Sequence, residues 1–390
     1  MSGAAVDVAV IGGGVIGSAT AFFLKDMGFP GRVVVFEKDP SYQYASTARS
    51  AASIRQQFTT AVSTQMSQFS FAFFEQLPER FGTDGDIALH RDSYLLVADA
   101  AREKALRACH ETFTRLGSNI AWLDQEDLAR RFPWLNVEDL VGGTLGLSGE
   151  GWFDAYMLLR VLRREARNMG VTYVDREVTG IDVENGRVTA VRTADGERWP
   201  CAVAVNAAGP AAGKVAAMAG LDLPVEARKR TMFVIEGPLE PRGMPFLFDN
   251  SGAQIRPEGH RFICGALPDE DRDPEPGDDF EPDYYLFEEK VWPALAHRIP
   301  ALMELRLISA WSGHYEMNLF DHNGVIGPHP ELTNFIFANG FSGHGVMHSP
   351  ATGRGVAELI MHGRYTSLDL SPLRYERILE NAPIRETLVY

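Results

Sequence analysis

The sequence is poor in cysteine: Cys109, Cys201 and Cys264 are the only three in 390 residues, and they lie far apart. That number and spacing exclude a disulfide framework and a cysteine-based metal centre, and they point to a reducing compartment. No apolar run reaches the roughly 20 residues that a membrane-spanning helix needs. Positive charge is also short. Against 52 Asp and Glu stand 37 Lys and Arg, a net charge of −15. A chain so acidic lacks the basic face that binds nucleic acid or an anionic membrane surface. The opening residues carry no basic n-region, which predicts no signal peptide and, with the cysteine usage, a cytoplasmic protein. There is no internal repeat, and 45% hydrophobic with 23% charged residues excludes disorder. The length exceeds the roughly 250–300 residues at which one core stops growing, so two domains are expected.

What is present is an alternation of strands and helices. Residues 6–11 form a short apolar run, residues 18–27 have helical spacing, and residues 32–36 are apolar again. Two strands joined by a helix over this length predict a right-handed βαβ unit. Helices are expected at 60–81, 100–116, 125–132 and 154–168, the last with Asp154 as its N-cap. Strands are expected at 92–99, 171–174, 179–184, 187–193 and 202–206, with an Asn185-Gly186 turn. From 225 to 325 the chain reads differently, with short strands at 230–235 and 261–266 and an acidic, proline-rich stretch at 268–282. That composition suits a solvated loop or lid. From Asn334 the alternation returns: strand 335–339, glycine loop 340–345, helix 350–362. The aromatic stripe from Phe69 to Phe74 and the lone Cys264 read as core packing. The fold class is α/β (α+β overall). A nucleotide-binding domain is assembled from 1–90, 145–225 and 325–390. An antiparallel substrate-binding sheet from 91–144 and 226–324 is inserted into it.

The strongest local signal is Gly12-Gly13-Gly14-Val15-Ile16-Gly17, which follows a strand and opens a helix. Gly12 permits the tight turn, Gly14 lets backbone approach a pyrophosphate, and Gly17 lets helix pack on strand. The helix start supplies free N–H groups and positive dipole to phosphate. Glu37 lies 20 residues beyond Gly17, at the end of the next strand, where a carboxylate accepts from ribose hydroxyls, with Lys38 beside it. An acid there disfavours a 2′-phosphate. NAD and FAD both remain open at this point. Small and hydroxylated residues at 46–55, among them Ser46, Thr47, Arg49 and Ser50, suit close approach of backbone to an extended anionic cofactor.

At this point the chain resembles the D-amino acid oxidase/sarcosine oxidase superfamily of FAD-dependent oxidoreductases. The resemblance rests on the glycine motif, Glu37, segment 46–55, Asn206-Ala207-Ala208-Gly209, and a C-terminal block. That block holds Trp311-Ser312-Gly313-His314-Tyr315-Glu316, then DHNGVIG at 321–327, then Gly340-Phe341-Ser342-Gly343-His344-Gly345. The block and the run Ile54-Arg55-Gln56-Gln57-Phe58 look especially like a branch linked to assembly of a respiratory complex. The resemblance implies a glutathione-reductase-type FAD-binding Rossmann domain. Glu37 would hold the adenosine ribose, and the strand at Val178 would pass the adenine. Ala207 and Gly209 would close the pyrophosphate side. Gly343, His344, Gly345 and Val346 would face the flavin ring, with Gly313 beside it. Covalent attachment in relatives uses a cysteine or a histidine where this chain has His314 or Arg49, so non-covalent FAD is expected.

A flavin that accepts a hydride from a C–H beside nitrogen needs a bound carboxylate, a neutral amine and a dry ring face. Arginine binds carboxylate with a planar fork. The resemblance puts Arg55 and Arg230 in that role. His314, Tyr315, His344 and His348 are the candidates to orient the amine or take a proton. Met347 stands where sarcosine oxidases carry a lysine, which argues against sarcosine itself. Ile263 stands where oxidases carry another, which favours a dehydrogenase. The expected substrate is a secondary, N-methylated or D-amino acid. The electron acceptor is oxygen, a redox protein or a quinone, and the oligomeric state stays open. Three alternatives stand beside it: an FAD oxidoreductase of a 2-hydroxy acid or glycerol phosphate, which changes only the substrate, a non-catalytic flavin-binding scaffold, and an NAD enzyme. No metal is expected.

Overall fold

A computed structural model describes residues 5–386. The two glycine-punctuated halves of the chain meet in one sheet. Its parallel core runs Phe335–Asn339, Arg198–Asn206, Val6–Ile11, Val33–Glu37 and Thr172–Asp175, with Val325–Pro328 antiparallel on the outer edge. The strands Val6–Ile11, Val33–Glu37 and Phe335–Asn339 are nearly continuous apolar runs, as expected for a parallel sheet covered on both faces. The register places Val8 opposite both Val33 and Val203, so the first strand is the centre. A hairpin, Val178–Glu184 and Arg187–Thr193, joins the sheet through Arg198–Asn206.

Helices Val15–Asp26, Ala61–Phe81, Ala155–Asn168 and Gly345–His362 share one apolar core on this sheet, built from Phe22, Phe23, Phe74, Leu158 and Val356 among others. Asp154 caps its helix as the sequence predicts, accepting from the Met157 N–H at 2.8 Å. The first and last of these helices touch backbone to backbone: a methyl group at Gly353 would stand 2.5 Å from the Ala19 carbonyl carbon. The C-terminal helix begins five residues before the expected start, with Pro350 inside it. Proline has no N–H, which frees the Val346 carbonyl, and the Ser349 hydroxyl donates to that oxygen at 2.8 Å.

The second sheet has eight strands in the order Arg306–Asn318, Val225–Glu236, Arg261–Ala266, Ala253–Glu258, Phe246–Phe248, Tyr94–Ala98, Gly142–Gly146 and Ile120–Asp124. It is not purely antiparallel, because Phe246–Phe248 runs parallel to Tyr94–Ala98. Gly142–Gly146 straddles the boundary expected at 144/145. The segment around Phe287, Val291 and Leu295 packs on its outer face with Phe233 and Phe262. Residues 225–236 and 306–318 pair over their whole length, setting Arg230 opposite Gly313 and Ala227 opposite Glu316. The free Cys109, Cys201 and Cys264 are all buried. Among the described residues no helix is long and apolar enough to cross a membrane.

Candidate active site between the two sheets

The glycine motif folds as a turn that only glycine tolerates. Gly12 has φ +102°, and a methyl group there would stand 2.3 Å from the Ala207 carbonyl oxygen. A methyl group at Gly17 would stand 1.9 Å from the Gly12 carbonyl oxygen. The turn therefore presses against the Ala207–Gly209 corner, and Ala207 N–H donates to the Ile11 carbonyl at 2.9 Å. The helix that follows has Gly14 as N-cap, no side-chain cap from it and no acidic residue in its first turn. Its Val15 N–H donates to the Thr47 hydroxyl at 3.1 Å, which draws segment 46–55 onto the helix start. Ile16 is buried in the core behind it. Glu37 accepts from the Gly13 N–H at 2.8 Å and the Asp39 N–H at 2.9 Å. Burial raises its pKa, and those two N–H bonds oppose the rise. Lys38 is exposed beside it.

A backbone-lined turn at a helix start with no acid in its first turn, with a carboxylate at the next strand end, fits the adenosine and pyrophosphate of a dinucleotide. The second half of the cradle comes from the C-terminal block. Asn339 donates to the Asn206 carbonyl at 3.0 Å, so the late glycine loop rides on the Asn206–Gly209 corner. The helix after that loop has His344 as N-cap, again with no side-chain cap and no acid in its first turn. The two helices thus bring two positive ends to one site. Val178 is buried in the core on the far side of the sheet, beside Val34 and Phe36. Val346 packs partly buried against the main core.

Between the loop and the second sheet, Arg55 is buried, 2% exposed. Its Nη2 lies 3.1 Å from His344 Nε2. A guanidinium only donates, so Nε2 accepts and the imidazole proton sits on Nδ1. Burial first, then the Arg55 charge, holds the His344 pKa well below its usual value. The same two causes push His348 down to about 3. Both rings are neutral at physiological pH. Phe58 packs edge-on against His344, and the Arg55 guanidinium lies over the Phe58 ring at 4.6 Å and the Phe248 ring at 5.7 Å. Met347 is buried one helical step along. Sequence reasoning missed Glu150, which fixes this run from below. It accepts from Gln56 N–H at 2.8 Å and Gln57 Nε2 at 3.0 Å, and burial raises its pKa to about 7.

The other flank is built by Arg306–Asn318. Gly313 packs against the Arg49 side chain, where a methyl group would come within 2.8 Å of Arg49 Cβ. Arg49 donates to the Ser312 carbonyl at 2.6 Å, and the Ser46 hydroxyl donates to the His314 carbonyl. The Ser50 hydroxyl turns back to accept from the Ala52 N–H. The His314 ring stacks on Phe280 at 3.9 Å and bonds the Asp279 carbonyl at 2.6 Å. Tyr315 is held under the Arg230 guanidinium at 4.3 Å. Arg230 itself grips Asp273 through both terminal nitrogens, at 2.7 and 2.8 Å. Arg55, His344 and Met347 are therefore grouped at the late glycine loop, while Arg230, His314 and Tyr315 are grouped under the acidic loop. The sequence named these residues but carried no signal for the Asp273 contact.

Glu316 completes the set. It is buried against the late glycine loop, where a methyl group on Gly345 would stand 3.4 Å from its Oε1, and burial raises its pKa to about 7.

Residues 7–359 match the pattern of the family described as FAD dependent oxidoreductase. The chain is 37% identical to "FAD-dependent oxidoreductase domain-containing protein 1" of Xenopus laevis, over 97% of this chain and 84% of that protein. It is 28% identical to the glycine oxidase of Geobacillus kaustophilus, over 95% of this chain and 97% of that one. The solved structure of L-proline dehydrogenase from P. horikoshii superposes with a TM-score of 0.87 at 27% identity, covering 98% of this chain and 100% of that one.

Proposed function

The chain belongs to the FAD-dependent oxidoreductase family, which acts on amino acids and amines, and from that premise we propose that it oxidises the C–N bond of a secondary, N-methylated or D-amino acid to an imine that hydrolyses. The observation that carries the reading is the buried Arg55 fixed against His344 of the late glycine loop. It is a buried guanidinium beside the late glycine loop, and the planar fork of a guanidinium suits the carboxylate of a small amino acid.

Glu37, Gly12, Gly14, Gly17, Thr47, Ala207 and Gly209 would hold the adenosine and pyrophosphate half of FAD. Gly313, Gly343, His344, Gly345 and Val346 would hold the ring half. Bound there, FAD supplies the two-electron acceptor for a hydride from the substrate carbon. The protein's own residues do the rest. Arg55 holds the substrate carboxylate and so fixes which C–H faces the ring. His344, kept neutral, accepts from Arg55 and keeps the guanidinium plane from turning. Phe58, Phe248 and Met347 exclude water from the reacting face, which strengthens each electrostatic contact within it. His314 is engaged by Phe280 and Asp279, which supports non-covalent cofactor. Ile263 leaves no cation at the position where the family's oxidases carry a lysine, which supports a dehydrogenase that passes electrons to a redox protein or quinone.

The test is anaerobic reduction of the purified protein with a panel of N-methyl, cyclic and D-amino acids, followed by readmission of air. Bleaching by a member of the panel is expected, with slow return of colour in air and fast return with an added quinone. Bleaching by no amine would overturn the catalytic reading, and fast reoxidation by air would overturn the choice of acceptor.

A further inference from the structure

The acidic segment that reads from sequence as a solvated loop is fastened down along its length. Asp273 takes both terminal nitrogens of Arg230, with only 13% of the arginine side chain and 15% of the aspartate exposed. Lys229 Nζ bonds Asp279 at 2.6 Å and Asp283 at 2.9 Å. Phe280 stacks on His314 and lies under the Arg49 guanidinium at 5.0 Å, so the loop spans from the substrate sheet to the cofactor-side segment. The Ser312 hydroxyl donates to the Glu281 carbonyl. Every fastening is ionic, a stack on a basic or aromatic group, or a polar bond, and no apolar core residue anchors the stretch from 269 to 281.

Arg230 is fixed, because its strand pairs with Gly313 within a long ladder. Asp273 sits on a loop held by polar and stacking contacts, with no apolar core residue in it. A two-toothed carboxylate on a fixed guanidinium is the same contact a ligand carboxylate would make. Arg55 cannot share that ligand. Its guanidinium lies over Phe248, whose strand is three places from that of Arg230. Strand spacing alone puts roughly 14 Å between those strands.

We propose that Asp273 is a resident carboxylate that keeps the 268–283 loop shut over Arg230 and Tyr315, and that an incoming substrate carboxylate replaces it on Arg230 before passing to Arg55. Asp273 is then a specificity-determining residue: an amine without a carboxylate has nothing to exchange and finds the door closed. The proposal rests on the amino-acid-oxidising reading for its substrate, and the two can fail separately.

The experiment uses the flavin-loaded protein with acetate as the carboxylate probe and chloride at matched ionic strength as the control for screening. Amide hydrogen exchange reports the loop and the flavin spectrum reports the inner site. Acetate should raise exchange across 268–283 while chloride does not. Asp273→Asn should raise exchange without acetate and lower the apparent Kd for acetate by about tenfold or more, since a closed population no longer reduces affinity. Asp278→Asn, an exposed acid on the same loop, should behave as the unmodified protein. Arg55→Gln should abolish the acetate-induced flavin shift yet leave acetate opening of the loop intact. If acetate leaves exchange in 268–283 unchanged or lowers it, the proposal is overturned, whatever the variants do. An unchanged flavin spectrum together with an opened loop overturns the inner-site reading, and with it the passage to Arg55, while the exchange of Asp273 for a carboxylate on Arg230 stands.

Discussion

Replacing Arg55 by glutamine keeps much of the side-chain volume but removes the charge and the fork. The structure sets the scale. Arg55 is 2% exposed, so solvent cannot substitute for it, and the His344 ring beside it is neutral and cannot hold an anion. Removing one partner of a buried charged contact costs about 2–5 kcal/mol. At about 1.36 kcal/mol per decade this is roughly a 30- to 5,000-fold loss in kcat/KM for an amino-acid substrate. The same loss should not appear against the corresponding amine without its carboxylate, because no contact is removed there. The assay is anaerobic flavin reduction by stopped flow, with each substrate on both proteins. A comparable loss for both substrates would mean that Arg55 shapes the loop and does not clamp a carboxylate. A loss below about threefold for the amino acid would remove Arg55 from the site altogether.

Gly12→Ala places a methyl group 2.3 Å from the Ala207 carbonyl at φ +102°. Backbone strain alone is worth about 1–3 kcal/mol, so the variant should purify with little FAD, measured as flavin absorbance per protein. Glu150 and Glu316 both hold a proton in the folded state up to about pH 7, against a usual value of 4.5. The folded chain binds the extra protons within that window, so stability is full below it and falls as pH rises through it. Urea midpoints of the cofactor-free protein should therefore drop between about pH 5 and about pH 8, and Glu316→Gln should flatten the slope. A midpoint that climbs over this range would refute the assignment. Asp321→Ala strands Arg377, which is 1% exposed and bonds that carboxylate through two nitrogens. The cost is about 3–5 kcal/mol, read as a fall in thermal midpoint, and an apolar replacement of both residues should recover much of it.

The first βαβ unit was legible because glycine spacing, a flanking strand and a distant acid are local signals that a backbone turn imposes on any sequence. The late glycine loop was legible for the same reason. Gly142–Gly146 was not, since three glycines in five residues carry no strand propensity. They are there because the neighbouring strands press close: a methyl group at Gly142 or Gly143 would meet the Leu123 or Leu96 carbonyl oxygen at 2.6 Å. The early start of the C-terminal helix was hidden by Pro350, whose cost is met by a serine hydroxyl that no pattern announces. At the site, Arg55 and His344 could each be named, but their contact joins residues 289 positions apart. The grip of Asp273 on Arg230 spans 43 positions within a stretch whose composition reads as solvated loop. Such pairings depend on how the two sheets approach one another, and a single sequence does not encode that in any local run.

The most direct measurement is the visible spectrum of the purified chain before and after anaerobic addition of an N-alkyl or D-amino acid, with FAD quantified on denaturation. Yellow protein that releases about one FAD per chain and bleaches with the amino acid, but not with its decarboxylated amine, is the predicted result. Colourless protein that takes up no flavin when supplied with it, or a flavin that no amino acid reduces, would contradict the account.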